Sequence, residues 1–323
     1  MSDVPTEVRQ ALLEAADAAR YAPSIHNTQP WRWVVHPDRL ELYAATERQL
    51  QREDPDAHML LLSCGTALHH ARTALDAGGW RYRVDRPAGS PLAETRLDRH
   101  TAADPAAARR FAVIPARHTD RRTVTDQPVG QPHLDELVRV VEQERCGLHL
   151  LSRDQVIELA VAMERAQEAQ TADEGLRDEM SAWVGGDRAS GTGVPDAAIP
   201  ENPPLTTVAE RDFGVAGTLA AGAGHDTAAT YAVLYGPDDA PADWLRAGEA
   251  LSGLWLTATE RGINVLPQSS PVEVEFTRAE LLRLLSGVGL PYMVVRLGTL
   301  DPAQPGSART PRLPVEQVVE VRD

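Results

Sequence analysis

The chain has 323 residues, long for one compact domain and suited to two domains or one fused, double-sized unit. Hydrophobic residues make up 42% and charged residues 24%, an ordinary globular balance, and no apolar run approaches the ~18 residues of a membrane-spanning helix. The net charge of −15 repels a phosphate backbone and argues against nucleic acid as a partner.

The opening MSDVPTEVRQ lacks the basic, apolar and small-residue sections of a signal peptide, so a cytoplasmic protein is expected. The two cysteines, Cys64 and Cys146, have no CxxC spacing and indicate neither a disulfide scaffold nor a zinc site. There is no lysine. That excludes a Walker A lysine, a pyridoxal Schiff base and an SxxK nucleophile, and leaves anion binding to arginine, backbone N–H groups and helix ends.

In chain order, residues 6–21 read as an amphipathic helix, with Val8, Leu12, Leu13, Ala16 and Ala19 at helical spacing, ended by Pro23. Trp31–His36 and Leu40–Ala44 read as strands around a Pro37-Asp38 turn. A long, mostly buried helix is predicted over Asp56–Ala77, stopped by Gly78-Gly79, then short strands over Trp80–Val84 and Ala93–Leu97. An alanine-rich stretch follows, and a second half opens near Ile114. There Pro132–Glu144 reads as a helix with proline at its first position, Leu148–Leu151 as a strand, and Asp154–Gln170 as a helix started by Asp154 or Ser152. Residues 184–208, rich in glycine and proline, form a long irregular segment, a cover or a tether. Thr230–Tyr235 is a strand, Asp243–Arg261 a second long buried helix ended by Gly262, and Tyr292–Leu297 a buried strand. Thr277 with Glu280 suggests a capping box for a helix through Leu285. Both halves share a plan of long helix, glycine stop and strands, without obvious sequence similarity.

Three clusters carry candidate chemistry. Ala22–Trp31 (APSIHNTQPW) packs hydroxyl, imidazole and carboxamide groups into a proline-flanked turn, able to line the edge of a flat apolar slot or simply to satisfy its own backbone. Arg117–Arg122 (RHTDRR) sets three guanidiniums and a hydroxyl within six residues, either a phosphate cradle or a solvated charged turn. Arg309–Pro314 (RTPRLP) places Arg309 and Arg312 before Val315–Val321. His69-His70 on the first long helix do not share a face, and read as packing rather than as metal ligands.

Together these segments resemble the nitroreductase superfamily. APSIHNTQPW is similar to its APSxxNxQPW segment, RHTDR to its opening R-[RH]-[ST]-x-R segment, TPRLPVEQVV to its closing KPRxPLEEVV segment, and VLPQSSPVE at 265–273, more loosely, to the region beside the flavin ring. In ordinary members RRSxR precedes APSxxN and the flavin site is completed across a homodimer. Here APSIHN comes first and RHTDR opens the second half, an order that resembles the Acg-type branch of two fused nitroreductase-like halves.

The resemblance implies an α+β, nitroreductase-like fold. Two fused halves, 1–112 and 113–323, would each carry a mostly antiparallel sheet packed by long helices. The chain would form an intramolecular pseudo-dimer, and so could be monomeric, with a lid at 184–208. It implies one FMN per chain. Ser24, Ile25 and Asn27 would line the ring and ribityl side; Arg117, His118, Thr119 and Arg121 would hold ribityl and phosphate; Arg312 would complete the phosphate clamp; Gln268 and Ser269 would lie near the ring edge. Thr310 stands where the family often has lysine, a loss that Arg309 could offset. The implied activity is an FMN-dependent, ping-pong oxidoreduction from NAD(P)H to a small electrophile such as a nitroaromatic or quinone. The alternative is an FMN-holding protein whose lid leaves little or no reductase activity.

Overall fold

A computed structural model describes residues 6–222, 224–301 and 307–323. The first part of the chain runs α1 (Thr6–Ala19), β1 (Trp31–Val35), β2 (Arg39–Ala44), α2 (His58–Ala77), β3 (Trp80–Asp85), β4 (Ala93–His100) and α3 (Pro105–Ala112). The second runs α4 (Gln131–Gln143), β5 (Gly147–Leu150), α5 (Arg153–Ala172), α6 (Glu174–Trp183), β6 (Thr230–Gly236), α7 (Pro241–Glu260), β7 (Ile263–Gln268), α8 (Ser270–Glu273), α9 (Glu275–Leu284), β8 (Leu290–Thr299), α10 (Val315–Val318) and β9 (Val319–Val321).

Two sheets result, ordered β3-β4-β2-β1-β9 and β5-β6-β8-β7. Every pairing is antiparallel except β1 with β9, where Trp33 lies beside Val319 and Val34 beside Glu320. The C-terminus therefore crosses over to close the edge of the first sheet.

The two parts are internally related. Adding 183 to the limits of α2 gives those of α7, and adding 183 to those of β3 gives those of β7. The strand orders match as well: β3, β4, β2, β1 in one sheet correspond to β7, β8, β6, β5 in the other. Equivalent residues of α2 and α7 meet where the helices cross. A Cβ on Gly65 would lie 1.9 Å from Leu245 O, and one on Gly248 would lie 1.9 Å from Leu62 O. Glycine is required at both places because each helix touches the other's backbone. One step further along, His69 Nδ1 and Ser252 Oγ, again 183 apart, are hydrogen-bonded at 2.9 Å. Both helices are apolar nearly all round because they form the centre of one shared core.

Local chemistry sets the boundaries. The residue before α2, Ala57, has a left-handed backbone and caps nothing, but Asp54 Oδ1 and Oδ2 accept from the N–H groups of Met59 (3.0 Å) and Leu60 (2.8 Å). Ser152 caps α5 in a full capping box with Gln155. The capping box expected at Thr277 and Glu280 does not form. Thr277 lies inside α9, and its hydroxyl donates to the carbonyls of Pro271 (3.1 Å) and Val274 (2.9 Å), while Glu280 pairs with Arg165. Elements not anticipated include α3, capped by Asp104; α6, capped by Asp173; β7, whose proline disguises a strand; and the short α8, α10 and β9. Among the described residues no helix is long and apolar enough to cross a membrane.

Candidate active site

The turn after α1 is held in an unusual shape. His26, Asn27 and Gln29 all have positive φ (40°, 56° and 50°), a conformation that costs a side-chain-bearing residue about 1–2 kcal/mol. Ties on both sides sustain it. Ser63 Oγ on α2 accepts from Ile25 N (3.1 Å), and Thr66 Oγ1 donates to Pro23 O (2.6 Å). The carboxamide of Asn27 donates to Gly193 O (3.1 Å) and Pro311 O (3.0 Å), that of Gln29 to Gly191 O (2.7 Å), and Leu313 N donates to Gln29 Oε1 (3.0 Å). The turn is thus the dock for both the irregular segment and the C-terminal tail.

Beside this turn, at the junction of the two sheet systems, is a cavity. Its mouth included, about 810 Å³ is unfilled by protein atoms. Helix α2 contributes Leu62, Ser63 and Thr66 to its wall, and α7 contributes Leu251 and Trp255. Of the residues expected from sequence, Ser24, Ile25, Thr119, Arg121, Gln268 and Ser269 line it, whereas Asn27, Arg117, His118 and Arg312 stand behind the lining. Ser24 Oγ accepts from Gln29 N (2.9 Å), which leaves its own hydrogen free to donate. Gln268 is 6% exposed, yet neither its amide nitrogen nor its amide oxygen has a partner. A buried carboxamide left so is costly unless a ligand completes it.

The arginines divide by role. Arg122 chelates the fully buried Asp120, with 2.7 Å between Nη2 and Oδ2. Against the penalty of burial, His118 and Arg122 hold that carboxyl well below the usual range. Arg122 having taken the carboxylate, Arg117 and Arg121 are left without one. Arg117 is buried, lies 4.5 Å over the Trp255 ring and donates to Tyr21 O (3.2 Å). Arg312 donates to the same carbonyl (3.1 Å) and to Asn27 Oδ1 (3.2 Å). Burial lowers the basicity of Arg117, which Arg312 lowers further; burial pushes Arg312 itself down to about 10. Neither has a carboxylate partner among the described residues. A buried and a half-buried cation converging on one carbonyl form a site that an anion would relieve. Arg309 is exposed and Thr310 Oγ1 accepts from Arg312 (2.8 Å), so the position where lysine is common serves to orient the arginine. His118 Nδ1 pairs with Ala116 O (2.9 Å).

The irregular segment packs beside the cavity and reaches its wall past the expected limit of 208. Val184, Val194, Ala198, Ile199 and Phe213 form their own small apolar cluster. Glu210, Arg211 and Phe213 reach into the cavity wall. Arg121 donates to Ala198 O (2.9 Å) and stacks 4.9 Å over Phe213; burial pushes its guanidinium down to about 10, against the pull of Glu210. Arg211 bridges the two parts of the chain, pairing with Glu53 (2.6 Å) from the first and Glu273 from the second, while His26 Nε2 completes the cluster at 2.8 Å from Glu53. Burial opposes charge on Glu53, but Arg211 and His26 hold its carboxyl low; burial raises that of Glu273. None of Glu210, Arg211 and Phe213 was singled out from sequence. The only available signal was a charged pair beside an aromatic in AERDF, just beyond the glycine-rich stretch. Thr66 and Trp255 were hidden inside apolar helices.

The internal duplication exposes a second place where such a cavity would be expected. Thr66 and Trp255 line the cavity; their counterparts, found by shifting 183 residues, are Glu249 and Arg72. These form an ion pair at 2.6 Å, joined by Arg86 at 2.7 Å and with Glu144 2.9 Å from Arg72, and the Glu249 side chain is fully buried. The equivalent space is filled by protein charge.

The Nitroreductase family model matches residues 1–113. Over 310 residues the chain is 36% identical to "Putative NAD(P)H nitroreductase Rv3131" of Mycobacterium tuberculosis, covering 93% of this chain and 88% of that protein. It is 28% identical over 315 residues to "Putative NAD(P)H nitroreductase acg" of the same species, covering 95% of each. Among solved structures, an FMN and NADPH-dependent nitroreductase, NfnB from a Sphigopyxis strain, aligns over 65% of this chain and 97% of its own at 14% identity and a TM-score of 0.41. A fused arrangement of two related sheets and one end-to-end match at 36% identity lead to one conclusion: the chain belongs to the nitroreductase family.

Proposed function

We propose that this chain is an FMN-dependent oxidoreductase that takes electrons from NAD(P)H and passes them to a small electrophile such as a nitroaromatic or quinone. The observation that carries the reading is the pair Arg117, buried, and Arg312, half-buried, two guanidiniums without a carboxylate among the described residues, set behind an apolar slot whose Gln268 amide is wholly unpaired. That donor set fits a flat heteroaromatic ring joined to a phosphate. Ser24, Ile25, Gln268 and Ser269 would hold the ring and its edge, Thr119 and Arg121 the ribityl chain, and Arg117 with Arg312 the phosphate; Asn27 and His118 would act from behind by fixing the turn and Asp120. When bound, FMN supplies hydride acceptance and donation. The chain's part is to orient the ring, neutralise the phosphate and keep water from the cavity. One FMN per chain is proposed, because Arg72, Arg86 and Glu249 occupy the second equivalent place. The fused pair of sheets supports a monomer as the working form, and a cytoplasmic one is proposed.

Anaerobic addition of NADH or NADPH to the purified yellow protein tests this: rapid bleaching is expected, and reoxidation by a quinone should follow. A colourless protein that does not take up FMN would refute it. The intrusion of Glu210, Arg211 and Phe213 into the cavity wall favours one second reading, a flavin-holding protein kept closed by its cover. Under that reading the intact chain resists bleaching, and deletion of residues 187–205 opens the flavin to reductant.

A further inference from the structure

We propose that Glu210 is the proton donor of the acceptor half-reaction, delivering a proton from its carboxyl group to an oxygen of a quinone acceptor as that quinone is reduced. The proposal rests on the flavin-enzyme reading above and adds a catalytic residue to it.

Two-electron reduction of a carbonyl-type acceptor consumes one hydride and one further proton. For a quinone, the hydride forms one new bond, the O–H bond of Glu210 breaks as the second oxygen gains its hydrogen, and the product is the hydroquinone. Water reprotonates the carboxylate when the product leaves. Glu210 stands in the cavity wall itself, so the proton is supplied beside the acceptor rather than drawn from bulk solvent.

The geometry singles out this residue. Glu210 is the only carboxylate among the described residues lining the cavity. Its side chain is 7% exposed. Oε1 is anchored by Arg296 Nη1 at 2.7 Å, whereas Oε2 is buried and has no partner. One oxygen is therefore fixed and the other unpaired, on a residue that lines the cavity. The remaining lining groups do not match it. Arg121 and Arg211 do not release protons at neutral pH, and His26 is committed to Glu53. Hydroxyl groups such as Ser24 can donate a hydrogen bond but hold no spare proton.

The surroundings balance the carboxyl between its two forms. Arg296 on β8 and Arg121 favour the anion. Asp226, itself 2.6 Å from Arg296, and Tyr231 on β6, whose buried hydroxyl has no partner, stand on the other side. Burial outweighs the two arginines and raises the carboxyl to about 7. A group with that value is protonated often enough to donate and ionised often enough to be recharged at neutral pH.

The test uses the full chain in wild-type, Glu210→Gln and Glu210→Asp forms. Glutamine keeps an acceptor for Arg296 but carries no transferable proton; aspartate keeps the proton on a shorter arm. Infrared difference spectra of the chain without flavin, taken between about pH 6 and pH 8, read the carboxylic-acid band directly. Asp54 also titrates in this window, so the difference between the wild type and Glu210→Gln isolates the Glu210 part of the band, which is expected in the wild type and the Asp variant and absent from Glu210→Gln. FMN is then loaded and reduced photochemically, so that NAD(P)H plays no part, and reoxidation by a benzoquinone is followed against pH. The wild-type rate should fall roughly tenfold per unit above about pH 7. Glu210→Gln should be flat with pH and at least about tenfold slower at pH 6, with the pH limb retained in Glu210→Asp. A Gln variant that keeps the wild-type rate and limb, or a wild-type carboxylic-acid band no larger than that of Glu210→Gln, overturns the proposal. A chain that takes up no FMN overturns the flavin-enzyme reading and this step with it, and is recognised by its lack of colour before any rate is measured.

Discussion

Arg211 is the bolt between the cover and the rest of the chain, and its removal has a calculable consequence. Its side chain is 12% exposed, and those of Glu53 and Glu273 are 3% and 2% exposed. In Arg211→Ala the two carboxylates lose their shared cation and keep His26, which touches Glu53, and Gln170 Nε2, which donates to Glu273 Oε2 (2.7 Å). Breaking a buried ion pair from one side costs about 3–5 kcal/mol. With His26 remaining, we take the lower end, ~3 kcal/mol, which lowers the ratio of closed to open cover roughly a hundredfold. The sign with pH follows from the same charges. Without the arginine, both carboxyls are raised above their unfolded value in the closed form, so the closed form keeps its stability below the ordinary glutamate range and loses it as pH rises. Limited proteolysis of segment 184–229 at low protease reads the open population. The first cut should be faster by about two orders of magnitude at pH 8 and by much less at pH 5. A cleavage rate within about twofold of wild type at pH 8 would show that the cover is held by the Val184–Phe213 cluster and not by charge.

Four further outcomes are expected. Arg312→Met should weaken FMN binding at least about tenfold while leaving riboflavin binding unchanged, since only the phosphate is lost from contact; isothermal titration with both ligands checks this. Glu249→Ala leaves Arg72 with Glu144 alone and Arg86 with no carboxylate, and should lower unfolding stability by about 3 kcal/mol in urea at unchanged slope. Gly65→Ala and Gly248→Ala should be equally damaging, beyond the ~1–3 kcal/mol of ordinary overpacking, because each new methyl meets a backbone carbonyl that cannot swing aside; thermal melts compare them. Burial raises Asp54 to about 7, so its contribution is present at low pH and is lost as pH rises from about 4 through 7. Asp54→Asn should flatten the pH dependence of stability in that window.

Most regular elements were legible in the sequence because their cause is local or periodic. The two long helices announce themselves by length and by a glycine stop, and the Ser152 cap by a hydroxyl before an amphipathic run. The strand β7 was hidden by Pro267, which β8 tolerates because β7 is the outermost strand of its sheet and the proline needs no ladder donor. The false capping box at Thr277 had the right spacing, but α8 packs immediately before it and offers its carbonyls to the hydroxyl. In the site, short stiff motifs gave Ser24, Ile25 and the arginines. Residues that act only through tertiary placement left no trace: Thr66 and Trp255 look like any residue of a buried helix, and Glu210 and Arg211 look like an exposed charged pair. The duplication showed only as motif order and a shared plan of elements, because the shared property is a backbone path, with Thr66 answered by glutamate and Trp255 by arginine.

That last pair of replacements bears on how such a chain can evolve. In a homodimer every codon is read into both subunits, so a glutamate at the position of Thr66 would appear beside both cavities and block each of them. Joining the two copies in one polypeptide makes positions 66 and 249 separate targets for mutation. One cavity can then be given up and rebuilt as an internal strut while the other is left intact. The covalent link also keeps the two walls of the remaining cavity together at any dilution, whereas a homodimer's site disperses with its subunits.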